Sequence, residues 1–124
     1  MKYTVQRLNG RFSYREWFEY YIGFPSAMTN GQGPVQYNDA LKWFFQTYGW
    51  SAEIRQYGRI MQWTFGTYVN TLLNQKPQAT GILSERSEHC NPHWSWTDHY
   101  PDLRIYVASD KELAFFQLAH PVDQ

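Results

Sequence analysis

The chain has 124 residues, room for one compact core, and its 11 Lys plus Arg balance 11 Asp plus Glu. A formal charge of +0 excludes the basic excess with which a dedicated duplex-binding protein neutralises phosphates, although a local basic face stays open. Leu, Ile, Val and Phe make up only about a fifth of the residues, near the composition at which chains stop folding. The 6 Trp, 10 Tyr and 8 Phe supply the missing apolar area, so one domain over residues 1–124 is expected around an aromatic core.

Lys2 to Leu8 reads as a strand, with Asn9-Gly10 as the turn that ends it. Ser13-Tyr14-Arg15-Glu16 fits a capping box, which predicts a short helix through Trp17, Phe18, Tyr20 and Tyr21, stopped by Gly23. Gly23 to Gln36 and Gln75 to Gly81 read as loops, and Gly31-Gln32-Gly33-Pro34 as a turn. A second helix is expected from Asn38 or Asp39 to Tyr48, where Leu41, Phe44, Phe45 and Tyr48 recur at helical spacing and Gly49 terminates.

Residues 50–74 carry two patterns. Ile54, Tyr57, Met61, Phe65, Tyr68 and Leu72 mark a helical face that Ser51 would cap, but Gly58 and Gly66 interrupt it. The density of β-formers tips the reading to strands near 52–57 and 60–65, with a helix as the alternative. Further on, His93 to His99 and Leu103 to Val107 read as strands joined at Tyr100-Pro101-Asp102. Ser109-Asp110-Lys111-Glu112 is a second capping box, opening a helix through Leu113, Phe116, Gln117 and His120 that Pro121 stops. The sum is an α+β fold, about three helices on a small, mostly antiparallel sheet. Leu41, Phe44, Phe45, Ile105, Val107, Leu113 and Phe116 are expected to share one core.

The single Cys90 allows no internal disulfide, and Met1 to Arg7 holds no apolar signal-peptide core, so a cytoplasmic protein is expected. No glycine-rich phosphate loop, nucleophile elbow or dinucleotide fingerprint occurs, and no cofactor is expected. Three of the four histidines cluster with the cysteine. His89, Cys90, His93 and His99 are residue types that hold zinc, and a site of this kind would suit a small metal-dependent hydrolase or nuclease. A second pair of ligands from a separate element is missing, and the favoured reading has no metal.

Trp94 and Trp96 fall on one face of their strand, which suits either a helix packed over them or a stacking platform for bases. With Arg104 they would make a nucleotide-binding module. Buried core is the favoured role for the pair. Two dozen aromatics are hard to bury in so short a chain, and Tyr and Trp dominate protein interfaces. A protein-binding surface is therefore the expected function, with Tyr37 and Trp50 beside the helix ends as candidate anchors.

Two resemblances add to this. Asp98-His99-Tyr100-Pro101 resembles the opening of the HNH nucleases, which implies His99 as a general base beside a metal; the Gly-rich turn and Asn that follow in that family are not present. Leu103-Arg104-Ile105-Tyr106-Val107 followed by Ser109-Asp110-Lys111-Glu112-Leu113 resembles the strand-then-helix finish of small accessory proteins of tailed bacteriophages. That resemblance implies a non-enzymatic, stoichiometric inhibitor of a host defence complex.

Overall fold

A computed structural model of the chain describes residues 1–10, 14–25, 32–61, 90–97 and 103–122. The first strand, β1 (Thr4–Arg7), lies where the sequence predicts it. The next segment does not. Only one turn forms, with the Trp17 and Phe18 amides donating to the Tyr14 carbonyl, and the chain then extends as β2 (Tyr20–Phe24). The predicted helix through Tyr20 and Tyr21 is thus a strand, because Tyr20, Ile22 and Phe24 alternate onto one face and bury there. Gly23 ends nothing; it sits mid-strand opposite Thr4 and Arg104. Ser13, the proposed cap, lies outside the described residues.

The helix α1 (Gln32–Tyr48) begins six or seven residues before the predicted start at Asn38 or Asp39, so residues 32–36 are helical rather than loop. Pro34 is compatible because it occupies the first turn, where its missing amide would have no partner. Gly33 is required there. A Cβ at this position would collide with the Pro25 carbonyl oxygen, so only a glycine lets the helix start so close to the end of β2. At the other end Gly49 adopts φ 91°, the left-handed stop the sequence predicts.

Residues 54–61 are helical, α2, which overturns the strand expected near 52–57. Ile54, Tyr57 and Ile60 turn inward at helical spacing, and Glu53 accepts the Arg55 amide at 3.0 Å, the capping role expected of Ser51. What survives of strand character is one parallel bridge from Glu53 to Trp96. Residues 62–74, with the second proposed strand, lie outside the description apart from its helical start.

The C-terminal part follows its pattern: β3 (Trp94–Thr97), β4 (Leu103–Val107) and α3 (Asp110–Ala119). Ser109 caps α3 in an extended conformation and accepts the Lys111 amide. Its hydroxyl also donates to the Glu112 carboxylate.

Among the described residues, the fold is α+β, three helices with a four-stranded antiparallel sheet in the order β1-β2-β4-β3. Both faces of the sheet are packed. One carries α1 and α3 over Ile22, Phe24, Trp94, Ile105 and Val107, with Phe44, Leu113 and Phe116 buried between and Leu41 and Phe45 at the margin. The other carries α2, with Tyr57, Phe18, Tyr106 and Cys90. The core expected from the sequence is this first layer, and no helix among the described residues is long and apolar enough to cross a membrane.

Candidate functional site: the exposed aromatic surface of α1 and α3

Burial removes one of the two candidate anchors and puts Trp94 in the core, its favoured role. Tyr37 is 3% exposed, inside α1 rather than in a loop, and its hydroxyl donates to the Thr97 carbonyl at 2.7 Å. The early start of α1 is the cause, since it carries Tyr37 onto the sheet. Trp94 is fully buried and stacks on Phe44, while its indole N–H donates to the Gly49 carbonyl at 2.9 Å. Trp96 is half-buried, with its N–H bonded to the Ser51 carbonyl at 2.8 Å. Both tryptophans therefore serve as core with a satisfied polar end.

Arg104 is not brought to them. Trp96 pairs with Ile105, whereas Arg104 pairs with Thr97, so strand alternation places the guanidinium on the opposite face. There it lies 4.3 Å over the Tyr21 ring, a cation–π contact. The platform of two indoles and one arginine does not assemble. Trp50 stands as expected, half-exposed just beyond the end of α1.

His89 and His99, with the Asp98-His99-Tyr100-Pro101 stretch, lie outside the described residues. The remaining two members of the proposed metal set have different surroundings. Cys90 is buried, its sulfur 4.0 Å from the Tyr57 carbonyl oxygen, in the layer under α2. His93 stacks on Tyr48 of α1 and places Nδ1 3.1 Å from the Glu112 carboxylate. Among the described residues, no three His, Cys, Asp or Glu groups converge as metal ligands.

The contacts of His93 open onto a surface the sequence did not single out. Glu112 is almost fully buried, and burial pushes its carboxyl up, yet the Ser109 hydroxyl and the His93 ring hold it below the ordinary glutamate value. Serine, glutamate and histidine meet here, but the hydroxyl bonds the carboxylate and not the imidazole. A serine nucleophile needs the reverse order. The trio instead ties the first turn of α3 to the start of β3.

Beside it runs a row of aromatic edges. Phe115 is half-exposed and meets Trp43 edge-on at 5.3 Å and Tyr48 at 6.4 Å. Trp43 and Tyr48 are half-buried, and His120 closes on Trp43 at 5.5 Å. Leu118 follows Phe115 at the i, i+3 spacing and is 81% exposed. Burial, then the nearby Glu112 charge, raises the Tyr48 hydroxyl pKa. The signal for this surface was present in the sequence. Leu113 and Phe116 define the inward stripe of the last helix, and Phe115 and Leu118 are large apolar residues that fall off it.

No protein family, curated protein or solved structure matches the chain.

Proposed function

We propose that the chain is a non-enzymatic binding protein that engages a protein partner stoichiometrically through the α1–α3 surface. The observation that carries this reading is the exposure of Phe115 and Leu118 beside the half-buried Trp43 and Tyr48. Phe116 and Leu113 fix α3 on the sheet, so the exposed rings are held in place before a partner arrives, and little ordering cost remains on binding. Large, pre-positioned aromatics are the side chains in which interface energy concentrates. The resemblance of the C-terminal finish to phage accessory proteins extends the proposal to an inhibitor of a host defence complex acting in the cytoplasm.

A photo-crosslinking side chain placed at position 115 tests the reading in lysates of candidate host cells. The partner it traps should titrate the protein at a fixed molar ratio and be displaced by unlabelled wild type but not by Phe115→Asp. Activity at substoichiometric amounts with turnover would contradict it.

A further inference from the structure

The two edges of the sheet are finished differently. At β3 the outer edge is covered, since Trp96 bridges to Glu53. At β1 all four residues from Thr4 to Arg7 are exposed, and among the described residues no strand pairs with the outer side. From the β1 edge we infer a second binding site, which takes an extended acidic segment of a partner protein as an added strand.

The register says which backbone groups would bond it. The Leu8 amide donates to the Glu19 carbonyl at 2.7 Å, continuing the pairing of Thr4 with Gly23 and Gln6 with Tyr21. In an antiparallel ladder these groups alternate, so Thr4, Gln6 and Leu8 bond inward while Val5 and Arg7 aim their N–H and C=O outward. The edge thus offers the N–H and C=O of Val5 and the N–H of Arg7, the pattern of a peptide main chain, while the Arg7 carbonyl accepts the Gln6 side-chain amide at 3.0 Å, a contact that an added strand would replace. A DNA backbone presents acceptors only and would leave the outward Val5 carbonyl unmatched, and no nucleic-acid backbone repeats the alternating N–H and C=O of a strand.

Charge selects the kind of peptide. Arg7 and Arg15 line a cleft of about 540 Å³ beside the strand, with Phe18 in its wall and Glu19 the one acid among the described lining residues. Lys2 stands at the other end of the strand. Neither Arg7 nor Arg15 makes an ion pair among the described residues. A second copy of the chain is a poor fit, because Thr-Val-Gln-Arg carries no carboxylate and self-pairing would bring arginines towards arginines. An acidic segment places carboxylates on both arginines while its backbone extends the sheet.

The test uses fluorescein-labelled octapeptides of alternating Val and Glu, or Val and Lys, in anisotropy titrations with the whole protein. The acidic peptide should saturate the protein, the basic one should not bind, and high salt should weaken the acidic complex. Arg7→Glu with Arg15→Glu should weaken acidic-peptide binding at least about tenfold, since like charges then face each other. Val5→Pro removes an outward amide that no native bond uses, so it should block binding while the melting temperature holds. Hydrogen exchange on the complex should show new protection at Val5 and Arg7. Binding without that protection, equal binding of both peptides, preference for a single-stranded oligonucleotide or no binding of either peptide would each overturn the inference. So would a dimer of the chain that Val5→Pro dissolves. Phe115→Asp should leave peptide binding intact, so failure at this edge is separable from failure at α1–α3.

Discussion

Trp94 and Phe44 lie stacked, their centroids 5.3 Å apart and their planes 28° from parallel, so that the first residue of β3 rests on the C-terminal half of α1. Phe44 also stacks on Phe116 at 5.3 Å, and the three rings join sheet, α1 and α3 at one point. Phe44→Ala should therefore cost about 3–5 kcal/mol through lost burial and a cavity that rigid neighbours cannot close. The expected drop in melting temperature is roughly 10 °C or more. A change of a degree or two would mean that these rings do not form the core.

Gly33 gives a prediction whose sign is diagnostic. Alanine in a helix ordinarily gains about 1 kcal/mol over glycine. Here the added Cβ meets the Pro25 carbonyl oxygen, and backbone cannot swing aside as a side chain would. Gly33→Ala should lower stability in chemical denaturation. A stabilised variant would contradict the close approach of α1 to the end of β2.

Glu112 predicts a pH dependence. Its carboxyl pKa is lower in the fold than in the unfolded chain, because the Ser109 and His93 hydrogen bonds outweigh burial. The folded state then releases the proton more readily, so its stabilising contribution is complete above the unfolded value of about 4.3 and fades as pH falls through the folded value. Melting temperatures of wild type and Glu112→Gln, measured from neutral to acidic pH, should differ at pH 7 and converge on acidification. A constant gap would show that the carboxylate charge contributes nothing.

Most of the architecture was legible from the sequence where local and long-range signals agree. In α1 and α3 the apolar spacing, the Gly49 stop and the Ser109 cap all pointed to what forms. The misreadings came where a strong local signal met a tertiary preference. A capping box argued for helix before Tyr20, but Ile22 and Phe24 gain more by facing α1 across the sheet. Gly58 argued against helix at residues 54–61, yet the inward turn of Ile54 and Tyr57 outweighed it. The candidate surface was half legible. Trp50 was legible as exposed and Trp94 as core, while Tyr37, expected as an anchor, is core as well, because no single-chain pattern tells an interface ring from a buried one. Phe115 was not legible as a surface ring because it directly precedes Phe116, the inward residue, and a pair of adjacent aromatics does not by itself say which one faces the core.

The most direct test of the central claim is a titration of the trapped partner with wild type and with Phe115→Ala, Leu118→Ser and His93→Ala in parallel. Stoichiometric binding predicts one fixed molar ratio for wild type. Loss of the Phe115 anchor should weaken the complex about thirtyfold, corresponding to roughly 2 kcal/mol, with the melting temperature unchanged because the ring is half-exposed. Leu118→Ser should weaken it less, and His93→Ala should leave the ratio unaltered. A folded Phe115→Ala that binds as tightly as wild type, or a folded His93→Ala that abolishes a catalytic effect on the partner, would contradict the account.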